Sequence, residues 1–413
     1  MPSSVLPFAG YPDGDTPGGA HPGRMSAPSD AGSAVRGPRV AADPHDGGVR
    51  QPSLARIHRQ RSATQYLTSS PAPTGADVVR RLLAVQAQDA PMAAWSLGMR
   101  MPAATRFGDV LAEQATGGWV RTHVLRPTWH LVAPEDLRWL QRLTGPRVEA
   151  SLAARHRGLG LDERARDRAV DTLGELLSDG THPTRRELTA AFAEQGLPAT
   201  GEQVGHQLMV AELRAVICSG PPRDGEHTYA LVDDVVPTTR CDDLDGEIAQ
   251  AELVRRFMAG HGPATERDLV RWSTLTLAQV RAAVSGLGDA LDHVLVGEER
   301  FWFDPAVPAR PTRRRGALLA PAFDEVTLTY ADHGFPRRDP SSSRPRVVNA
   351  IGGGTVLLGG EDVAAWRRTV TRDTVEVDVS PDASLSGPER DAVEQAAARL
   401  ARFLGRSLRV TVG

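Results

Sequence analysis

Trp119-Val120-Arg121-Thr122-His123-Val124-Leu125-Arg126-Pro127-Thr128-Trp129-His130-Leu131-Val132 reads as two short strands. The runs Trp119–Val124 and Thr128–Val132 are rich in β-branched and aromatic residues, and Arg126-Pro127 joins them. Upstream, Gly117-Gly118 ends a helix over Phe107–Ala115. Before that, Asp77 looks like a helix cap, and Val78, Leu82, Leu83 and Val85 share one helical face. An earlier helix opens at Leu54-Ala55-Arg56-Ile57 and must stop before Ser69-Ser70-Pro71. Helices followed by a hairpin are the element order of a winged helix.

That order recurs twice. Arg185–Gln195 and Gly201–Val216 read as helices, with Ile217–Cys218 and His227–Val232 as the strands after them. Glu247–Ala259, Glu266–Ser273 and Leu277–Ser285 read as helices before a tight hairpin of Asp292–Val296 and Arg300–Phe303. Three such units in one chain carry more weight than any one alone. The expected fold is α+β: three tandem winged-helix units over residues 53–150, 151–240 and 245–310, then a small C-terminal β-barrel-like domain over 311–413. In that last part Val326–Tyr330, Val347–Ile351, Thr355–Leu358, Thr374–Val379 and Ser407–Val412 read as strands, and Pro388–Phe403 as a helix. Asp362–Thr369 fits a strand or a turn. Residues 1–50, dense in Pro, Gly, Ser, Ala and Asp, read as a disordered tail, because they carry too little apolar surface to offset ordering entropy.

Composition narrows the function. Across 413 residues the formal net charge is −3, which excludes a protein coated in positive charge but not one with a local basic groove. Aromatics at 5% provide no broad stacking platform for single strands. Two cysteines, Cys218 and Cys241, cannot build a disulfide framework. No apolar run approaches the ~18–20 residues of a membrane helix, and the N-terminus does not read as a signal peptide, so no membrane partner and a cytoplasmic location are expected. The chain contains no lysine; all 48 Lys-plus-Arg residues are arginine.

Common catalytic signatures are absent: there is no P-loop, no HExxH and no CxxC. Gly352-Gly353-Gly354 lies between expected strands and reads as a turn, not a phosphate cradle. His123 and His130 lack a third ligand, so neither a metal nor another cofactor is expected. What remains is Gln86-Ala87-Gln88, in Val85-Gln86-Ala87-Gln88-Asp89-Ala90-Pro91, read as the close of the helix that Asp77 begins. A glutamine amide offers one acceptor and one NH2 donor, enough to orient a water without being a base. Asp89, next to it, reads either as a supply of negative charge or as a helix-end contact.

With its surroundings, this motif resembles the AlkZ-like DNA glycosylases, a family of tandem winged helices with a C-terminal β-barrel and a catalytic Gln-x-Gln in the first unit. The resemblance continues through Arg126-Pro127-Thr128-Trp129-His130-Leu131-Val132, through Leu319-Ala320-Pro321-Ala322-Phe323-Asp324-Glu325-Val326, and through Val356-Leu357-Leu358 with Trp366-Arg367-Arg368. It departs where Pro127 replaces a common glycine and where Tyr330-Ala331-Asp332-His333 replaces Tyr-x-Asp-Arg. The resemblance implies a monofunctional glycosylase, without lyase activity, acting as a monomer on double-stranded DNA that contains alkylated bases. Gln86 and Gln88 are its implied catalytic residues. The chemistry agrees, because an N7- or N3-alkylated purine already carries positive charge and leaves without a general acid. The enzyme then has only to place water and stabilise an oxocarbenium-like sugar. Arg121, Arg126 and His130 on the hairpin, and Arg313-Arg314-Arg315 beyond it, are the candidate DNA contacts. Without the resemblance, the residues reach only a multi-domain DNA binder, and a non-catalytic winged-helix regulator or architectural protein is the alternative. The candidate recognition helices carry only Arg214 and Arg281, which suits backbone contact better than base reading.

Overall fold

A computed structural model describes residues 53–68, 71–307, 316–331, 334–343 and 351–413. The expected tail, Arg313-Arg314-Arg315 and most of the expected strand Val347–Ile351 lie outside the described residues. The first unit comprises α1 (Leu54–Thr64), α2 (Gly75–Leu82), β1 (Ala84–Gln86), α3 (Ala90–Arg100), α4 (Phe107–Ala115), β2 (Val120–Val124) and β3 (Arg126–Val132). Then come α5 (Pro134–Ser151), α6 (Ala153–Gly158), α7 (Glu163–Leu176), α8 (Arg185–Glu194), α9 (Gly201–Leu213), β4 (Ile217–Ser219), β5 (Tyr229–Leu231) and the short α10 (Val232–Val235). The third stretch holds α11 (Gly246–His261), α12 (Glu266–Ser273), α13 (Leu277–Leu287), β6 (Asp292–Val296) and β7 (Glu299–Phe303). The chain ends with β8 (Leu318–Pro321), α14 (Glu325–Leu328), β9 (Gly353–Leu358), β10 (Glu361–Val370), β11 (Thr374–Pro381), α15 (Gly387–Leu404) and β12 (Ser407–Val412).

Local chemistry sets many of these boundaries. Thr184, Thr200, Thr265 and Thr276 each begin a helix with a capping box, closed by Glu187, Gln203, Asp268 and Gln279. At α2 the cap is Thr74, whose hydroxyl accepts from the Asp77 amide; Asp77 sits in the first turn rather than at the cap. The helix also ends sooner than its apolar face suggests. Leu83 takes a φ of 64° and turns the chain into β1, so Val85 and Gln86 belong to a strand. A left-handed leucine is unfavourable by itself. Here its side chain is fully buried beside Ala84 and Val132, and tertiary packing outweighs the local preference.

The described strands form one mixed five-stranded sheet, one three-stranded sheet and two hairpins. The three-stranded sheet has the order β1-β3-β2, and the hairpin turns at Leu125, with φ 63°, one residue before the expected Arg126-Pro127 joint. The C-terminal strands run β12-β11-β10-β9-β8. Closing them into a barrel requires β8 to pair with β12, and among the described residues these two are the free ends of an open sheet. Residues 388–403 cross over between β11 and β12, which run parallel, as a parallel connection requires. That helix lays Val393, Ala397, Leu400 and Phe403 in one core with Val375, Val377 and Trp366. Among the described residues the C-terminal part is thus a five-stranded sheet with a helix packed on it. Two local readings also change: Val326–Tyr330 begins with the turn of α14, whose cap is Asp324, and Asp362–Thr369 is strand β10. The same core takes in Val79, Leu82, Trp95 and Leu97 from α2 and α3, so the first unit and the C-terminal sheet pack as one body.

Candidate active site

Strand β1 is the floor of the site. It pairs with β3 through Ala84↔Val132, Val85↔Leu131 and Gln86↔His130, and the Ala87 amide extends the ladder by donating to Trp129 O at 2.7 Å. Extended backbone alternates its side chains. Val85 and Ala87 turn into the core shared with the C-terminal sheet, while Ala84 turns to the opposite one. Gln86 follows Ala84 in this alternation. The helix end expected around the two glutamines is absent: Gln86 is the last residue of β1, and Gln88 lies two residues beyond it in the bend that leads to α3.

Gln86 is buried and held at both backbone and side chain. Its amide N–H donates to Glu325 Oε1 at 2.9 Å, and its Oε1 accepts from Arg126 Nη2 at 2.7 Å. Glu325, itself fully buried, accepts at Oε2 from Trp272 Nε1 at 2.9 Å and from the Thr329 hydroxyl at 2.8 Å. Arg126 Nη1 donates to Trp272 O at 2.8 Å, and Nη2 lies 3.2 Å from His130 Nε2. His130 Nδ1 lies 2.9 Å from Thr128 O, a pure acceptor, so the ring proton sits on Nδ1 and Nε2 accepts from the guanidinium. Burial and then the Arg126 charge hold the His130 imidazole well below its ordinary value, which keeps that neutral tautomer. Burial also pulls the Arg126 guanidinium down from its ordinary value.

Gln88 is half-buried, and among the described residues its Oε1 receives a long hydrogen bond, 3.4 Å, from the Trp129 amide. Asp89 takes the helix-end role: it accepts from the Met92 amide at the start of α3, from Gly352 N at 3.1 Å, and pairs with Arg368 at 3.2 Å. Arg121 stacks over the Trp129 ring at 4.1 Å and donates to Ala87 O, so it braces the loop between Gln86 and Gln88. Pro91, Phe107, Leu111, Trp119 and Leu131, with Arg121 and Gln114, line a cleft against the start of α3.

Of the residues singled out from sequence, Gln86, Arg126 and His130 meet in one hydrogen-bonded cluster, with Gln88 and Arg121 at its edge. Arg313, Arg314 and Arg315 lie outside the described residues. Arg214 pairs with Glu149 and Asp167, and Arg281 with Glu266. Glu325 and Trp272 carry the site's scaffolding and were not singled out as site residues; adjacent acids at 324 and 325 in an apolar run are the signal that marks them. No group of three or more metal-ligating side chains occurs among the described residues, and no described helix is long and apolar enough to cross a membrane.

Behind Trp272, His261 stacks on Phe257 with ring centroids 4.8 Å apart, and burial pulls its pKa down to about 4. His156, packed edge-on against His206 at 5.2 Å, is pulled to about 4 by the same cause. In the unfolded chain both rings titrate near 6.5, so between that pH and about 4 the unfolded state binds protons the folded state refuses. Stability is therefore complete above the unfolded value and falls with acid. Each ring contributes a loss of about 2 kcal/mol by pH 5. Urea midpoints at pH 7.5 and pH 5 measure it, and His261→Gln with His156→Gln should flatten the difference. Equal midpoints in the unmodified protein contradict it.

The family described as DNA glycosylase AlkZ-like matches residues 79–403, a span that includes Gln86, Gln88, the β2–β3 hairpin and Glu325. An interstrand DNA cross-link repair glycosylase of Streptomyces sahachiroi is 26% identical over 378 residues, covering 86% of this chain and 97% of that protein. The solved structure of the Streptomyces sahachiroi DNA glycosylase AlkZ shares the fold, with a TM-score of 0.70 at 23% identity over 88% of this chain and all of the other. The chain belongs to the AlkZ-like DNA glycosylase family.

Proposed function

We propose that this protein is a monofunctional DNA glycosylase that hydrolyses the N-glycosidic bond of cationic N7- or N3-alkylated purines in duplex DNA, bulky adducts and crosslinks included. The observation that supports the proposal is a pair of neutral amides, Gln86 at the end of β1 and Gln88 two residues on, whose neighbouring carboxylates are already engaged: Glu325 with the Gln86 amide, Trp272 and Thr329, and Asp89 with Met92, Gly352 and Arg368. A base that already bears positive charge needs no such acid. Water oxygen bonds to C1′ as the C1′–N bond breaks; the bonding pair returns to the base and cancels its charge, and the water's proton passes to solvent. The two amides hold the water and the sugar while the oxocarbenium-like charge builds. The cross-link repair activity named for the Streptomyces sahachiroi relative supports the extension to bulky lesions.

The three helix-then-hairpin stretches act in this reading as winged helices that grip the duplex backbone, and the protein works as a cytoplasmic monomer. Arg313-Arg314-Arg315 supply phosphate contacts. Arg121, Arg126 and His130 act as supports of the glutamine segment, because the hydrogen bonds shown for them go to protein groups.

Glycosylases that also nick DNA commonly attack C1′ with an amine to form a Schiff base. This chain has no lysine, and arginine is neither deprotonated nor nucleophilic. Incubation with duplex DNA containing N7-methylguanine should therefore release the free base and leave an intact abasic strand that breaks only in alkali or heat. Borohydride present during the reaction should trap no covalent protein–DNA band. Direct nicking or a trapped band refutes the water-only mechanism, and absence of free base refutes the glycosylase reading.

A further inference from the structure

We infer that Arg126 is a positioning residue that fixes Gln86 as a hydrogen-bond donor, leaving Gln88 as the acceptor of the pair. The inference rests on the glycosylase reading above and adds a division of labour to it. A guanidinium has five N–H donors and no acceptor. At 2.7 Å from Arg126 Nη2, the Gln86 amide can present only its oxygen. Its NH2 group must then point away from Arg126.

Further contacts stop the arrangement from turning over. Arg126 cannot swing, because Nη1 is held by Trp272 O at 2.8 Å and Nη2 by His130 Nε2 at 3.2 Å. His130 cannot present a proton to Arg126, because Thr128 O holds its proton on Nδ1 at 2.9 Å. Glu325 fixes the Gln86 backbone through Oε1 while Trp272 Nε1 and Thr329 fix Glu325 through Oε2. A cation on the carbonyl oxygen also draws electron density out of the amide, which makes its N–H a stronger donor.

Gln88 stands differently. Among the described residues no guanidinium is hydrogen-bonded to its oxygen, and the long contact from Trp129 N leaves a lone pair of Oε1 to accept. A water held between the two amides accepts from Gln86 with one lone pair and donates a proton to Gln88 Oε1. Its second lone pair is then free to face C1′. Arg126 touches neither water nor DNA in this scheme; it acts through Gln86.

The test is a double-mutant cycle in single-turnover release of N7-methylguanine, with DNA affinity and thermal unfolding measured on every variant. Arg126→Met should slow release by about 100-fold in the wild-type background, and by less than about threefold when Gln86 is already alanine. Equal fold-losses in both backgrounds give Arg126 a purely structural part and overturn the inference. Gln86→Glu supplies a second arm that does not depend on Arg126→Met folding. The carboxylate keeps its partner in Arg126 but has no N–H, so release should fall as far as in Gln86→Ala; a rate near wild type overturns the donor role. A third arm needs no catalysis. In protein labelled with 15N at glutamine side chains, Arg126→Met should shift the Gln86 NH2 resonances and speed their exchange with solvent, while unchanged resonances refute the contact. If wild-type protein releases no base, the glycosylase reading fails alone, and this last arm still decides whether Arg126 orders Gln86.

Discussion

Replacing Gln86 and Gln88 together by alanine should lower single-turnover release of N7-methylguanine by about a thousandfold, with DNA affinity changed by no more than a few-fold. Removing one preorganised donor at a reacting centre costs roughly 10²- to 10³-fold. Two groups that hold one water act as a unit, so the double change should be far less than the product of the singles. Affinity for DNA should come mostly from phosphate contacts, which the two amides do not make in the proposed mechanism. The single variants should differ in stability. Gln86→Ala leaves a partly buried Arg126 N–H without its acceptor, at a cost of about 1–3 kcal/mol. Gln88→Ala loses only one long hydrogen bond at a half-buried position, and should melt within about a degree of the parent. Rapid-quench assays, fluorescence anisotropy and thermal melts measure the three quantities. A double variant that releases base at the parental rate sinks the assignment of both glutamines.

The largest loss of stability should come from Arg100→Met. Arg100 and Asp324 form a two-pronged ion pair, 2.7 Å and 2.8 Å, with both side chains no more than 1% exposed. Arg100 also donates to Ser96 O and to Gln65 Oε1, both at 2.9 Å. Burial by itself raises a carboxyl, yet the Arg100 charge and its hydrogen bonds hold Asp324 below its ordinary value. Methionine fills much of the volume but leaves a carboxylate in the core without its counter-charge, which costs about 3–5 kcal/mol. The damage should reach the site, because Asp324 caps the turn that carries Glu325, and Glu325 holds the Gln86 amide. Adding Asp324→Leu removes the stranded charge but also that cap, so it should restore only part of the loss. Urea unfolding of the three proteins measures this. If Arg100→Met lies within about 1 kcal/mol of the parent, the pair is not what ties α3 to the Glu325 turn.

Helices and hairpins were largely legible from period and punctuation. Phe107–Ala115, Glu266–Ser273, Asp292–Val296 and Ser407–Val412 stand where the patterns put them, because each is bounded by its own cap, glycine or turn. The helix expected through Val85 was misread, since Val78, Leu82 and Val85 fit a helical face equally well as a strand entering a core. A buried Leu83 at φ 64° decides between them, and nothing local favours that conformation. Val326–Tyr330 was misread for the same kind of reason: the Asp324 side chain that caps the turn is itself locked by Arg100, 224 residues earlier in the chain.

By itself the sequence determined the alternation of helices with hairpins, the Gln-x-Gln motif and the absence of any lysine amine. These depend on near neighbours or on composition. Tertiary structure alone decided that β1 is a strand, that α15 packs on the C-terminal sheet, and that Gln86 presents its oxygen to Arg126 while Trp272 and Glu325 lock the frame around it. The hydrogen bonds that set the site join residues from 40 to 239 positions apart, and period and propensity carry no information about partners at that distance.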